Sequence, residues 1–196
     1  MHDLYEFNDL SPAQQFSHLS RKPSSPYVGR QTSNIRERLV DIHGWKLMRD
    51  HFHMLVSERI ENGLSLFLRK MSGYPRYFNE RHGRHGALFA STTKKVLIER
   101  EGHFLYVLHY VHLNALDDFP GAEHWRERDR GTVLDLAGAF AHLRDDRWSS
   151  YRDYCGIPNF PSILTKSLFE SAPGTYETEL KEYLADRAFD ATAQFE

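Results

Sequence analysis

Polar and apolar side chains alternate most cleanly over residues 50–56, Asp-His-Phe-His-Met-Leu-Val. A period of two predicts a β-strand. His51, His53 and Leu55 then share one face; Phe52, Met54 and Val56 share the other, which reads as the core face. Residues 39–48 (Leu-Val-Asp-Ile-His-Gly-Trp-Lys-Leu-Met) form a second strand candidate, and Arg49-Asp50 between them is short enough for a hairpin turn. Residues 57–62 are a polar connection with Asn62 as the expected N-cap. The period then changes. Leu64, Phe67, Leu68, Met71 and Phe78 fall at helical spacing, interrupted at Gly73 and Pro75. Pro75 has no N–H to bond back one turn, so a kink or break is predicted there. Residues 87–99 return as a strand, most clearly in Lys95-Val96-Leu97-Ile98. Residues 101–114 predict a helix whose stripe Phe104, Leu108, Val111 and Ala115 docks on the sheet. Shorter helices are predicted at 133–142 and at 175–188, the latter amphipathic with an acidic face. Residues 2–9 resemble the end of a helix, and 10–34, with Pro12, Pro23 and Pro26 and no period, read as a loop or linker.

Composition adds bounds. The 196 residues suffice for one domain with a real core and an appendage, and 40% hydrophobic with 27% charged residues is ordinary for a globular chain. No apolar run reaches the length of a membrane span, and the first residues do not form a signal peptide, so a cytoplasmic protein without membrane partners is the default expectation. Cys155 is the only cysteine, which excludes an internal disulfide and a thiolate zinc cluster. The net charge of −2 argues against a generally basic nucleic-acid binder, but its distribution is uneven. Residues 69–100 hold eight Lys/Arg against two acids, a net +6, and residues 161–196 hold three against seven, a net −4. A polyanion would meet the basic middle, at Arg69, Lys70, Arg76, Arg81, Arg84, Lys94 and Lys95. Two oppositely charged solvated faces account for the charges equally well.

The candidate chemistry lies on the predicted elements. Two imidazoles two residues apart on one strand face can reach one divalent metal. Tyr110 and Asn114 are one helical turn apart on the flank of the apolar stripe. A divalent metal polarises a phosphate oxygen, a tyrosine hydroxyl attacks phosphorus, and basic side chains hold a nucleic-acid backbone. Asn114 could offer its amide oxygen as a third metal ligand. Each feature taken singly has a plainer account: solvated histidines, and a tyrosine packed on the core with its hydroxyl in water. The aromatic cluster Trp148, Tyr151 and Tyr154 either packs on the domain or stacks bases.

Five stretches in order carry a resemblance. Gly-Trp-Lys-Leu-Met-Arg-Asp-His-Phe-His-Met-Leu-Val (44–56), Gly-Leu-Ser-Leu-Phe-Leu-Arg-Lys-Met (63–71), Tyr-Phe-Asn-Glu-Arg-His-Gly-Arg-His-Gly-Ala-Leu-Phe (77–89), His-Tyr-Val-His-Leu-Asn (109–114) and Trp-Ser-Ser-Tyr (148–151) resemble the single-tyrosine HUH transposases, the REP-associated tyrosine transposase branch in particular. The resemblance covers about residues 39–154. It implies an α+β fold, a ferredoxin-like antiparallel sheet with helices on one face, in which the sheet carries the histidines and the following helix the tyrosine. It implies a mobile-element activity, cleavage and rejoining of single-stranded DNA, often near hairpins, with Mg²⁺ or Mn²⁺ and without ATP. By motif position His51 and His53 match the metal pair, Tyr110 the nucleophile, and Asn114 the polar residue that completes the metal site. Relatives include monomers and dimers, so a homodimer stays open.

The chain also departs from the pattern. Family members usually carry a strand before the helix that residues 3–8 resemble, and Met1 comes too late for it, so a sheet short of its first strand is expected. The usual Gln-Gly-Arg is Ala90-Ser91-Thr92, and the usual Pro after Leu-Asn is Ala115. The expected organisation is an N-terminal helix remnant and linker (1–38), a catalytic core (39–118) and a helical C-terminal extension (119–196). The alternatives to an active single-strand endonuclease and strand transferase are a non-cleaving DNA-binding relative of the same fold, and a metalloprotein unrelated to DNA.

Overall fold

The computed structural model describes residues 1–10, 36–88, 93–99, 101–122, 124–126, 133, 135–169 and 174–185. The linker expected at 10–34 (Leu10 apart), the Ala90-Ser91-Thr92 departure and the end of the helix expected to reach 188 lie outside these residues. The chain is mixed α and β, with a two-stranded antiparallel sheet and several helices. It divides into two compact units, one of Met1–Asp41 with Glu58–Arg84, the other of Ile42–Ser57 with His85–Glu196.

In the first unit, α1 (His2–Phe7) packs on α2 (Gly63–Met71). The buried Asn8 bonds the backbone of Leu39 and Val40. Its amide nitrogen donates to the Val40 carbonyl at 2.8 Å, and its oxygen accepts from the Leu39 and Val40 N–H groups at 3.0 and 2.9 Å. Asn62 stands at the predicted N-cap of α2 but caps nothing with its side chain; it is left-handed, φ 60°. The Glu58 carboxylate takes over, accepting from the Leu64 N–H at 2.9 Å. The predicted break falls as expected: α2 stops at Met71, and α3 (Tyr74–His82) restarts with Pro75 in its first turn, where the missing N–H costs nothing. Gly83, at φ 58°, ends α3 in the left-handed conformation that glycine adopts without strain.

A Cβ added at Gly63 would stand 2.1 Å from the Leu39 carbonyl oxygen. That atom is backbone and cannot rotate away. Gly63→Ala should therefore cost about 1–3 kcal/mol of stability, seen as a fall of several degrees in the thermal midpoint. An unchanged midpoint would mean that α2 starts elsewhere.

In the second unit the hairpin predicted from alternation forms, β1 (Val40–Leu47) with β2 (Phe52–Glu58), turned by Arg49 and Asp50 and closed by the Met48 N–H to the His51 carbonyl at 2.9 Å. The core face of β2 is the opposite of the one predicted. Leu55 is 4% exposed, whereas Phe52, Met54 and Val56 are only half-buried. Burial follows the partner, α4 (Glu101–Leu113), which lies against the Leu55 face. Gly44 permits that approach, since a Cβ there would meet the Leu108 side chain at 2.5 Å. The face carrying His53 is thus the face that docks on the helix.

α4 is buried more completely than its stripe predicted. Leu108, His109, Tyr110, Val111, His112 and Leu113 are all 9% exposed or less. α7 (Tyr176–Ala185) packs on it, and α5 (Leu136–Asp145) and α6 (Tyr151–Tyr154) pack on each other. The Trp148–Tyr154 cluster mainly packs: Tyr151 and Ser150 are fully buried, while Trp148 remains about half exposed.

The strand predicted over 87–99 is absent from its described residues, 87–88 and 93–99. Among the described residues there, 93–99 have no regular structure, and Leu97 is 81% exposed. A strand needs an edge to pair with, and the β1 edge is occupied. Ile42 bridges Leu164 in parallel and Lys46 bridges Ser149 antiparallel. The Leu47 N–H donates to the Trp148 carbonyl and the Ser150 N–H to the Trp45 carbonyl, both at 2.9 Å. The C-terminal half of the chain therefore lines β1. Among the described residues, no helix is long and apolar enough to cross a membrane.

Candidate active site

The turn after β1 sets Asp50 and His51 at the mouth of the hairpin, and β2 carries His53 two residues on, on the same face. The His51 Nδ1 hydrogen donates to Asp50 Oδ1 at 2.7 Å, which leaves the Nε2 lone pair of His51 facing toward His53. His51 Nε2 and His53 Nε2 are 3.1 Å apart. The same spacing fits a metal. Two imidazole nitrogens each about 2.1 Å from one ion at a right angle lie about 3.0 Å apart. The donor set is an imidazole pair with a carboxylate behind it, the arrangement that fixes a ligating histidine's tautomer. Burial, then the charges of His51 and Arg126, push the His53 ring down to about 4, so it is a neutral lone-pair donor at ordinary pH. Asp50, bonded to His51, is held below the usual carboxylate range.

Tyr110 faces this pair from the penultimate turn of α4. Its ring lies edge-on to His53, 5.8 Å between centroids, and it also packs on Trp125 at 5.8 Å. Tyr106, one turn earlier, turns instead to Tyr183 of α7 at 5.5 Å. The structure thus brings together His51, His53 and Tyr110, three residues singled out in the sequence.

Asn114 is near but engaged. It opens a 3-10 turn (Asn114–Asp118) rather than ending α4 and is fully buried. Its amide nitrogen donates to the Tyr110 carbonyl at 2.7 Å, and its oxygen, the expected third metal donor, accepts from Arg126 at 2.5 Å. Among the described residues no group of three His, Cys, Asp or Glu side chains is arranged around one point.

Arg126 is the residue the sequence did not single out. Its guanidinium forks onto Asp117, Nη1 to Oδ1 at 2.6 Å and Nη2 to Oδ2 at 2.8 Å, and lies 4.4 Å over the Trp125 ring. Trp125 Nε1 donates to the same carboxylate at 2.7 Å. The guanidinium carbon of Arg126 also lies 5.7 Å from the Tyr110 ring centroid. Burial opposes its charge, but Asp117 and Tyr110 outweigh this and hold the guanidinium above its ordinary pKa.

The basic residues are mostly exposed. Arg69 ends α2, Arg76 and Arg81 lie on α3, Arg84 follows Gly83, and Lys94 and Lys95 lie in the irregular 93–99 segment. Two of the expected seven have internal duties. Lys70 is half-buried and donates to the Asp9 carbonyl, with burial lowering its pKa, and Arg76 pairs with Glu80 at 2.8 Å. A cavity of about 540 Å³ between Arg49, Asp118, His142 and Trp148 flanks the hairpin turn but is not lined by the histidine pair or Tyr110.

Compared with family models, curated proteins and solved structures, the chain matches none of them.

Proposed function

We propose that the protein is a DNA transposase-like single-strand endonuclease and strand transferase, of the HUH fold, that links DNA to Tyr110 through a phosphotyrosine bond. The observation that carries this reading is the convergence of the two Nε2 atoms, 3.1 Å apart, with the Tyr110 ring packed against one of them. A tyrosine hydroxyl, a lone-pair histidine pair and exposed basic side chains are the parts that phosphoryl transfer from a DNA backbone needs.

When bound, Mg²⁺ or Mn²⁺ would polarise a phosphate oxygen beside the histidines. His51 and His53 would hold it, with Asp50 fixing the His51 ring. The Tyr110 oxygen forms a bond to phosphorus, and the bond to the leaving deoxyribose oxygen breaks. The phenolic proton is lost to water, and the leaving oxygen takes one up. The exchange of one phosphate ester for another explains why no ATP is required. The phosphotyrosine keeps the ester for rejoining to a second DNA end.

Metal-dependent cleavage of single-stranded hairpin DNA tests the reading. Cleavage with Mn²⁺ that stops on chelation is expected. Intact DNA with every divalent metal would contradict it. The second reading, a non-cleaving DNA-binding relative, is favoured by one contact: the Asn114 oxygen is held by Arg126.

Backbone contacts are assigned to the exposed arginines at and just beyond the end of α3. The double variant Arg81→Gln, Arg84→Gln should weaken binding across sequences and reduce the salt slope by about 1.4 on single strands, two phosphates' worth. An unchanged slope would mean that these side chains face away from the DNA.

A further inference from the structure

We propose that Arg126 is a second catalytic residue, whose guanidinium holds the attacking Tyr110 oxygen and a non-bridging oxygen of the scissile phosphate; this rests on the reading of Tyr110 as the DNA nucleophile. Two observations carry it. First, the guanidinium is oriented from behind. Asp117 binds it bidentately, the Asn114 oxygen takes a third N–H, and the Trp125 ring supports its face. An arginine that served only to neutralise Asp117 would need the fork alone. Second, a guanidinium has five N–H donors. Three go to Asp117 and Asn114, which leaves one on Nη1 and one on Nε. Tyr110 is beside it, with the guanidinium carbon 5.7 Å from the ring centroid.

The chemistry follows from charge. As the oxygen–phosphorus bond forms, negative charge spreads over the phosphoryl oxygens and onto the departing deoxyribose oxygen. A fixed guanidinium stabilises that charge without reorganising. In the reverse step, attack by a free hydroxyl expels the Tyr110 oxygen with its electron pair, and the same N–H receives it. Arg126 gives up no proton in either direction. Asp117 and Asn114 are positioning residues, acting through Arg126.

The test compares adduct formation between labelled single-stranded hairpin DNA and wild type, Arg126→Ala or Arg126→Lys, with Mn²⁺. Arg126→Ala should be slowed about 100-fold or more. Arg126→Lys should stay well below wild type, since an ammonium lacks the fork that Asp117 holds. Guanidinium chloride, far below denaturing concentration and matched by sodium chloride in the control, should restore Arg126→Ala at least several-fold. A merely structural arginine would give no such rescue. Adduct formation by Arg126→Ala within about threefold of wild type, or a loss that guanidinium does not relieve, overturns the role of Arg126 and leaves the nucleophile standing. The absence of adduct in the wild type overturns both.

Discussion

Tyr110→Phe is expected to form no covalent DNA–protein adduct, whereas Tyr106→Phe should form as much as wild type. Both tyrosines lie on α4, one turn apart, and helical spacing alone leaves both as candidates. Their surroundings separate them. Tyr110 meets His53 edge-on and lies 5.7 Å from the Arg126 guanidinium, while Tyr106 packs on Tyr183 and faces α7. A nucleophile must lie within reach of the group that binds the phosphate, and Tyr110 satisfies that condition. Phenylalanine keeps the ring and its packing against Trp125 and removes only the hydroxyl, so the lost chemistry is not confused with lost folding. Each protein is incubated with labelled hairpin DNA and Mn²⁺, then denatured and resolved. Label that survives on Tyr110→Phe would refute the assignment.

His51→Ala and His53→Ala should each abolish Mn²⁺-dependent cleavage and leave hairpin binding largely intact. Each histidine supplies one of the two converging nitrogens, and one imidazole alone holds a hard divalent ion poorly. Affinity for the DNA backbone comes from the basic side chains, which neither variant touches. Asp50→Ala gives an intermediate result. It leaves both nitrogens but frees the His51 tautomer, and about a 10–100-fold loss of metal affinity is expected. Cleavage at the wild-type rate by both histidine variants would remove the metal assignment.

Much of the site could be read from local pattern. A period of two fixed the hairpin and put His51 and His53 on one face. Pro75 broke the helix where its missing N–H required it. The tyrosine followed from a helix whose stripe was plain. The misreadings share one cause, partners distant in sequence. Phe52, Met54 and Val56 are as apolar as a core face, but α4 approaches from the Leu55 side, with Gly44 leaving room. The 95–98 run has the composition of a strand, yet residues 148–150 and 164–165 occupy the β1 edge. Arg126 stands in a charged stretch that reads as solvated surface. Its role depends on the 3-10 turn after Leu113 bringing Asn114 and Asp117 to it, and a turn of that kind has no periodic signal. The nearest sequence signal was Asp117 and Trp125, a carboxylate and an indole within nine residues of the arginine.

The central claim, that the Tyr110 oxygen takes up a DNA phosphate, is tested most directly by locating the bond. Wild-type protein is reacted with single-stranded hairpin DNA and Mn²⁺, the DNA is trimmed by nuclease, and the protein is digested and sequenced by mass spectrometry. The expected product is the α4 peptide carrying a nucleotide on Tyr110, with Tyr106 unmodified. A nucleotide on any other residue, or none on the protein while the DNA is cut, would contradict the account.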